Sequence, residues 1–392
     1  MKYISRTVWI LSLISLFTDA ASEMLYPVLP IYLESIGFSV LFIGVLEGIA
    51  EATSGLSKGY FGNLSDSIGK RIPFVQFGYL LSSFSRPLIV LFSVPIWVLF
   101  TRTLDRLGKG IRTGARDAIL SEESTNGNKA SVFGFHRSMD TLGAVIGPSI
   151  ALIYLYFYPG NYKTIFIIAF IPGILSIITS LFLKESSSLK GKNSKKKIGF
   201  FSFLNYWKSS DIHYKKLVVG LLLFALINSS DVFLLLKAKE SGMSEVFVIG
   251  LYIFYNLMYA IFAFPLGRIA DKMGIKTIYI IGLICFSMAY FGIALSNSKV
   301  EFISCFIIYG IFSAATEGIS KAWLTSIVAK ENTGTAIGFY TGFQSICTLL
   351  ASSLTGIIWY NFGSLITLCS ISFCAALIAI YFLRLKVRKN LF

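Results

Sequence analysis

A row of charged side chains at helical spacing lies in the fourth apolar stretch of the chain. Arg102, Arg106 and Lys109 are three or four residues apart, and the row continues to Arg112 and Arg116. This spacing places the side chains on one face of a helix. Charges inside a membrane are costly, so they face a cavity or pair with acids. The row therefore predicts a surface that holds an anionic group or tunes nearby acids.

Two pairs of carboxylates in the first two predicted helices are the natural partners of this row. Asp19 and Glu23 lie one helical turn apart, and so do Glu47 and Glu51. Neighbouring carboxylates repel when both are charged and desolvation adds to that cost, so such a site can exchange a proton near neutral pH. A nearby basic stripe opposes this effect. Two interpretations stand: proton-coupling acids, or a static network of ion pairs.

Long apolar helices must position these groups. Of the 392 residues, 55% are hydrophobic and only 14% are charged, whereas soluble domains average about 25% charged. A helix needs about 20 apolar residues to cross a membrane, and irregular backbone cannot face lipid. The first apolar run leads into Asp19 rather than a cleavage site, which predicts a retained helix. The predicted helices span 7–33, 39–60, 72–93, 96–118, 130–157, 163–183, 215–237, 245–268, 275–295, 300–328, 334–358 and 363–385.

Lysine and arginine are concentrated in alternate loops, including 70–71, 184–216 and the tail after residue 384. The opposite loops hold few, such as Lys163 and Lys299. The positive-inside rule therefore predicts both termini and the central loop on the cytoplasmic side of a cell (inner) membrane. This placement accounts for the net charge of +15 without a nucleic-acid partner. The predicted domains are two sets of six helices, 1–184 and 215–392, joined by a cytoplasmic linker, 185–214.

Three sequence echoes relate the two halves of the chain. Residues 62–71 recur at 267–276, residues 132–136 at 336–340, and residues 110–119 at 318–327. All three offsets lie near 205 residues, which indicates duplicated halves. Parallel repeats related by an axis along the membrane normal are a known plan of transporters.

The segment from Gly62 to Arg71 resembles the cytoplasmic signature of the major facilitator superfamily, Gly-x-Leu-Ala-Asp-Arg-x-Gly-Arg-Lys. Gly62, Leu64, Asp66, Gly69 and Lys70 match this pattern, and position 67 is serine instead of arginine. The resemblance implies that Asp66 latches the outward-open state against the start of the eleventh helix near Gly334. The alternative is a solvated loop charge.

Two further segments resemble patterns of the same family. Residues 106–110 resemble Arg-x-x-Gln-Gly, with Lys109 in place of glutamine, and the resemblance implies a role for Arg106 in proton coupling. Residues 143–148 resemble the Gly-x-x-x-Gly-Pro part of an antiporter motif, although its two further glycines are absent. Small residues of this kind allow close helix packing.

The resemblance implies an all-α membrane protein, with twelve transmembrane helices in two pseudo-symmetric six-helix bundles around a central cavity. Alternating access would come from one half rocking against the other. The polar residues expected to line the cavity, or merely to join helices, are Arg102, Lys109, Arg112, His136, Arg137, Asp140, Asn228, Asp231, Tyr255, Asn256, Glu317, Lys321 and Gln344. The residues expected to form the cytoplasmic gates are Gly62, Asp66, Gly69, Lys70, Arg71, Gly267, Asp271 and Gly274.

The resulting functional prediction is proton-coupled efflux of a small organic solute by a monomer in the lipid bilayer. The alternatives are proton-coupled uptake of an organic anion or metal chelate, a lipid-translocating protein, and a receptor that binds without transport. A receptor has no need of two gates, so the repeated Asp66 and Asp271 segments count against it. The sequence contains no phosphate-binding loop, catalytic triad or metal-ligand cluster, which predicts neither an enzyme nor a resident cofactor.

Overall fold

The computed structural model describes residues 4–125, 127–185 and 199–385, and all regular structure within these ranges is helical. The helices of the first half and the linker are α1 (Arg6–Leu25), α2 (Val28–Ser35), α3 (Val40–Ile68), α4 (Ile72–Leu88), α5 (Pro95–Glu122), α6 (Lys129–Phe157), α7 (Tyr162–Ile168), α8 (Phe170–Ser180) and α9 (Asn205–Ser209). Those of the second half are α10 (Ile212–Ala225), α11 (Val232–Glu240), α12 (Glu245–Met273), α13 (Ile275–Leu295), α14 (Lys299–Ser326) and α15 (Thr333–Arg384).

Three helices that the sequence predicts as continuous are interrupted. The predicted helix 7–33 breaks between α1 and α2 at Pro27, which has no backbone N–H to donate. The predicted helix 163–183 is divided at Ala169, where α7 ends and α8 begins, although the dihedral angles of Ala169 are themselves helical. The predicted helix 215–237 breaks at residues 226–231, where Asn, Ser and Asp side chains compete for backbone hydrogen bonds.

The last two predicted helices, 334–358 and 363–385, are two helices that meet at a kink at Gly363 and together carry the label α15. The backbone of α15 is helical on both sides of Gly363, whose φ is 79°. This left-handed conformation suits glycine because it has no Cβ. The bend therefore lies at the start of the twelfth predicted helix.

Seven helical segments within the described residues are long and apolar enough to cross a membrane. Helix α5 is absent from this set because it holds too many charges, as the basic row leads one to expect. Large apolar side chains such as Ile153, Tyr156 and Phe157 are widely exposed. In a membrane protein such side chains contact lipid, so the apolar outer surface fits a bilayer environment.

The chain folds into two compact units. Unit 1 comprises Met1–Glu123, Met139–Ser209 and Val328–Gly342. Unit 2 comprises Ser124–Ser138, Ser210–Ile327 and Phe343–Phe392. Unit 1 thus includes the start of α15, and unit 2 includes the start of α6. The domain boundaries given by the sequence stay a prediction.

Helix α5 is packed between α3 and α4 in unit 1. A Cβ added at Gly108 would lie 2.6 Å from the carbonyl oxygen of Gly78, and one at Gly110 would lie 2.3 Å from Cβ of Ser57. Small residues allow this close approach of helix backbones. The charged row of α5 is therefore held on a rigid, tightly packed helix.

Unit 2 has an aromatic core. The rings of Phe224, Phe286, Tyr290, Tyr309 and Phe312 contact one another with centroids 4.1–6.5 Å apart. Such pairs stabilise a core beyond the area they bury. The unit is therefore held mainly by apolar and aromatic packing.

The structure describes residue 185 of the central linker and then the linker from residue 199 onwards. The part from residue 199 contains the turn Ser202–Leu204 and helix α9. Phe203 is buried and lies against Gly59 of α3. The lysine-rich part of the linker, residues 186–198, lies outside the described residues.

Candidate coupling and substrate site

Glu47 of α3 and Arg102 of α5 form a two-point ion pair. The Arg102 Nε and Nη2 atoms lie 2.6 and 3.1 Å from the two carboxylate oxygens of Glu47. Bidentate guanidinium–carboxylate pairs of this kind are directional as well as strong. The close packing of α3 on α5 brings the two side chains together, so this part of the acid and base set predicted from the sequence meets in the structure.

Arg106 continues the pairing one turn further along α5. Its Nη2 lies 3.6 Å from Oε2 of Glu47, and its Nε lies 4.0 Å from Oε2 of Glu51. The side chains of Glu47 and Glu51 are 35% and 40% exposed, so water can reach both carboxylates. Ion pairs are therefore present, which both the coupling and the static interpretation require.

Arg86 of α4 is a central residue that the sequence analysis missed. Its Nε lies 3.4 Å from Oδ1 of Asp105, whose Oδ2 lies 3.2 Å from Nη1 of Arg102. Arg86 also donates to the carbonyl of Thr18 at 3.4 Å. Both Arg86 and Asp105 are buried. The available signal was an arginine inside an apolar helix, since intramembrane charges are functional candidates by default.

Together these residues form a connected set, here named the charge cluster. The charge cluster consists of Glu47, Glu51, Arg86, Arg102, Asp105 and Arg106. Three carboxylates and three guanidinium groups balance within it. A change in the protonation of one carboxylate therefore leaves a positive charge without its counterpart.

The remaining basic residues of α5 are Lys109, Arg112 and Arg116, and their surroundings differ. Arg112 is buried, donates to Oγ of Ser82 at 2.7 Å, and lies over the ring of Tyr79 at 4.6 Å. Arg116 pairs with its neighbour Asp117 at 2.9 Å. The Lys109 side chain is exposed on unit 1. Lys109 lies near enough to Glu51 for its charge to act on that carboxylate.

Two acids of the first helix and Asp140 of α6 also belong to unit 1. Asp19 lies near enough to Arg86 and Arg112 for its charge to act on both, and Glu23 acts in the same way on Arg106. Asp140 accepts a short hydrogen bond from the Ser15 hydroxyl. Asp19, Glu23, Glu47 and Glu51 therefore lie near basic residues of α4 and α5, whereas Asp140 contacts Ser15 of α1.

A second polar group lies in unit 2. Arg137 of α6 donates to the hydroxyl of Tyr259 at 2.6 Å and pairs with Glu317 of α14 at 3.1 Å. Its guanidinium also lies over the Tyr259 ring at 5.6 Å. His136 and Arg137 therefore belong to unit 2, although they come from the first half of the sequence.

The other predicted cavity residues of unit 2 lie around the break between α10 and α11 and along α12. Asp231 accepts from the Tyr309 hydroxyl at 2.5 Å, and the Tyr255 hydroxyl lies 3.1 Å from that of Ser313. The Asn256 amide donates to the carbonyl of Tyr252 at 3.0 Å, which is a bond within its own helix. The positions of the three remaining predicted residues are Asn228 in the break, Lys321 in α14 and Gln344 in α15.

The predicted gate residue Asp66 caps the start of α15. Its carboxylate accepts from the backbone N–H groups of Gly334 and Thr335 at 3.1 and 2.7 Å, and from the Thr335 hydroxyl at 2.8 Å. The first amides of a helix have no partner within it, so a carboxylate there is favourable. The sequence predicted a contact near Gly334 and the structure contains it, while its role as a latch stays a prediction.

Arg71 forms an ion pair with Asp66. The residues Asp66, Arg71, Gly334 and Thr335 are here named the Asp66 cap. The Arg71 Nη2 lies 3.1 Å from Oδ1 of Asp66, and Nη1 pairs closely with Glu122 at the end of α5. Only 1% of the Arg71 side chain is exposed. In contrast to Arg71, the neighbouring Lys70, which the sequence also predicted in the gate, is exposed.

Burial perturbs both carboxylates around Arg71, which lie beyond the predicted membrane spans. Burial raises the pKa of Asp66 to about 6, in spite of Arg71 and the Gly334 and Thr335 donors. Burial likewise raises the pKa of Glu122 to about 7, against the effect of Arg71. Loss of water therefore outweighs ion pairing at this end of the molecule.

The repeat copy of the gate caps α6 in unit 2. The carboxylate oxygens of Asp271 each accept a backbone N–H at 2.8 Å, one from Ala130 and one from Ser131. This Asp271 cap, defined by Asp271, Ala130 and Ser131, repeats the geometry of the Asp66 cap. The predicted gate glycines Gly69 and Gly274 end α3 and α12 with φ of 71° and 101°, which only glycine adopts readily.

Close contacts at the other gate glycines reinforce both caps. A Cβ at Gly62 would lie 2.3 Å from the carbonyl oxygen of Gly334, and a Cβ at Gly267 would lie 2.5 Å from that of Ala130. The Gly and Asp of each repeat thus serve one purpose: the glycine lets two helices approach, and the acid caps the approaching helix end.

A family model described as Major Facilitator Superfamily matches residues 11–255 and 236–391 of this chain. The chain belongs to the major facilitator superfamily. It is therefore a membrane-spanning transporter and not an enzyme. The resemblance drawn from the gate motif is confirmed, and this transporter holds two copies of that motif.

Sequence relatives of this transporter cover most of its length. An uncharacterized MFS-type transporter of Methanocaldococcus jannaschii is 32% identical over 364 residues, which are 91% of this chain and 89% of that one. A multi-drug resistance efflux pump PmrA homolog of Lactococcus lactis is 21% identical over 364 residues, with 88% of this chain and 87% of that one covered.

Solved structures of the same family share the fold. The human organic anion transporter TETRAN has a TM-score of 0.82 at 16% identity, covering 96% of this chain and 99% of that one. The fucose:proton symporter FucP of E. coli has a TM-score of 0.77 at 12% identity, covering 97% and 98%. At these identities the likeness shows the fold alone.

Proposed function

We propose that this transporter exports a small organic solute in exchange for protons by alternating access, with twelve transmembrane helices in two six-helix bundles. The observation that carries the proposal is the charge cluster, in which the partly exposed Glu47 and Glu51 share Arg106. Partial exposure lets protons and a solute reach these carboxylates, which a sealed structural ion pair would not allow.

Proton binding changes the charge that the cluster presents. A protonated Glu51 no longer balances Arg106, so the local charge rises by one. A solute group that bonds to the same carboxylates then competes with the proton. A coupling site must interact differently with the two states of the transporter, and competition at one cluster provides such a difference. Competition of this kind leads to exchange of solute for protons.

Helix packing near Asp19 supports the efflux direction. A Cβ at Gly143 would lie 2.4 Å from the carbonyl oxygen of Leu16, and one at Gly147 would lie 2.3 Å from that of Ala20. These are the two glycines of the partial antiporter motif, and they bring α6 against α1 on both sides of Asp19. The efflux pump among the sequence relatives points the same way.

Uptake of an organic anion or a metal chelate with protons is the second candidate. The position of Lys109 favours it, because an ammonium group whose charge reaches Glu51 is suited to a carboxylate or phosphate of a solute. An anion would bind Lys109 and Arg106 best while Glu47 and Glu51 carry protons. Proton and solute would then bind together and cross the membrane in the same direction, whereas exchange moves them in opposite directions.

Proteoliposomes with a pH-sensitive dye inside distinguish the two candidates. Solutes that raise the melting temperature of the purified chain are first selected from metabolites, drugs and chelates. Each is then added outside. Exchange predicts that inward solute movement drives protons outward, whatever the orientation of the protein. Protons that move inward with the solute would contradict proton-coupled efflux and support proton-coupled uptake. Solute binding without any exchange would indicate a receptor.

The variants Glu47→Gln and Glu51→Gln locate the coupling. We expect both to lose the solute-driven proton signal, while the matched control Glu34→Gln, an exposed acid of α2, keeps it. Unchanged proton movement in both variants would assign the charge cluster to structure instead of coupling.

A further inference from the structure

Two basic side chains near the end of α12 line a surface pocket of about 340 Å³. Arg268 and Lys272 lie one helical turn apart, and both are exposed. Neither forms an ion pair or hydrogen bond with any residue in the part of the chain that the structure describes. The rest of the pocket wall is apolar and consists of Phe264, Pro265 and Ile269.

The acid between the two bases in the sequence is engaged elsewhere. Asp271 accepts hydrogen bonds from the N–H groups of Ala130 and Ser131, so its carboxylate points into unit 2 and not into the pocket. Arg268 and Lys272 therefore place two positive charges beside an apolar surface. A pocket of this kind complements a ligand that is anionic at one end and apolar at the other.

The pocket lies at the end of α12 where lysine and arginine accumulate in the sequence, which the charge distribution predicts to be cytoplasmic. Long basic side chains at this depth extend towards the phosphate layer of the lipid while their stems stay on apolar surface. Anionic lipids are concentrated in that leaflet. The most abundant ligand of matching chemistry at this position is a phospholipid.

We propose that this pocket binds an anionic phospholipid, with its phosphate between Arg268 and Lys272 and its first acyl carbons against Phe264, Pro265 and Ile269. The guanidinium fork matches phosphate geometry, and the ammonium group adds a second charge. The apolar wall selects lipid over free phosphate, because inorganic phosphate leaves that wall in contact with water. This inference is independent of the solute and of the direction of transport.

Native mass spectrometry and thermal unfolding of the full chain in detergent test the site. The wild type, the double variant Arg268→Gln/Lys272→Gln and the control Lys163→Gln are compared. Lys163 is an exposed lysine of α7 and does not line the pocket. Each protein is titrated with phosphatidylglycerol, with phosphatidylcholine or with inorganic phosphate.

The site predicts that phosphatidylglycerol stays bound to the wild type and to Lys163→Gln and raises their melting temperature. The double variant should bind it roughly thirtyfold more weakly, since each basic residue contributes about one kcal/mol to anionic lipid binding. The variant Arg268→Lys, which keeps the charge, should retain most of the binding. Equal retention of phosphatidylglycerol by the wild type and the double variant would overturn the proposal. So would an equal effect of phosphatidylcholine or of inorganic phosphate.

Discussion

Arg86 and Asp105 show how single buried charges constrain this transporter. Both side chains are buried, and each has a partner of opposite charge within 3.4 Å. A buried ion pair is costly to form, but removing one partner is costlier because the other charge stays in the low-dielectric interior. The cluster therefore depends on the presence of all its members more than on any one contact.

We expect Arg86→Met to destabilise the protein by about 3 kcal/mol, because Asp105 then keeps only Arg102. Unfolding by denaturant in detergent measures this. The control Arg6→Met, which removes an exposed arginine at the start of α1, should change stability by less than about 0.5 kcal/mol. The double variant Arg86→Met/Asp105→Leu should recover part of the loss. Equal effects of Arg86→Met and Arg6→Met would show that Arg86 is not part of a buried pair.

The Asp66 cap predicts a stability that falls as pH rises. The pKa of Asp66 is about 6 in the cap and returns to its ordinary value near 4 in water. The capped state therefore binds the proton more tightly, so its stabilisation is fully present below about pH 4 and is lost as pH rises through about 6. Glu122 acts with the same sign up to about pH 7.

Melting temperatures between pH 4.5 and 7.5 test this sign. The wild type should lose stability across the range, and Asp66→Asn should show a flatter profile because position 66 no longer titrates. Arg71, Lys330 and Glu185, whose charges also act on Glu122, are common to both proteins. Parallel profiles for wild type and variant would contradict a raised pKa at Asp66.

At the scale of the helices, glycines set how closely the charged elements approach. Gly62 of α3 meets the backbone of Gly334 at the start of α15, and Gly114 of α5 meets Gly62 in turn, with an added Cβ 2.9 Å from its Cα. Backbone atoms cannot move aside as a flexible side chain can. The Asp66 cap therefore requires glycine on α3 before its acid can reach the amides of α15.

Gly62→Ala should destabilise the protein by about 1–3 kcal/mol, the usual cost of an overpacked site. Gly48→Ala is the matched control, since it lies in the same helix and an added Cβ there has no atom within 4 Å. Alanine is a better helix former than glycine, so the control should be neutral or up to about 1 kcal/mol more stable. Denaturant unfolding of both variants measures the difference, and equal stabilities would mean that α3 and α15 can separate at no cost.

The apolar runs predicted most of the helices, and the family resemblance of residues 62–71 predicted the contact of Asp66 near Gly334. The sequence did not predict the breaks at Pro27 and at residues 226–231, because hydropathy is continuous across them while the interruption depends on missing or diverted hydrogen bonds. It also did not predict the Arg86–Asp105 pair. That contact depends on which faces of α4 and α5 meet, and Gly78 and Gly108 set this in the folded chain.

At the scale of the whole molecule, the two halves repeat a helix cap but not a charge cluster. Asp66 caps α15 and Asp271 caps α6 with nearly the same hydrogen bonds. Buried carboxylates and guanidinium groups are concentrated in unit 1, whereas unit 2 has an aromatic core with few charges. A duplicated frame with one charged half suits a transporter in which one bundle carries the coupling and the other shapes solute choice.

Gradient-driven transport compared with equilibrium exchange tests the coupling role of unit 1 most directly. A labelled solute is loaded into proteoliposomes, and its movement is followed with a pH gradient and, separately, with equal solute and pH on both sides. Asp19→Asn and Glu51→Gln should lose the gradient-driven movement while keeping exchange, because solute binding and the conformational change survive when proton binding does not. If both variants keep the pH dependence of the wild type, the acids of unit 1 are structural and the proposed coupling is wrong.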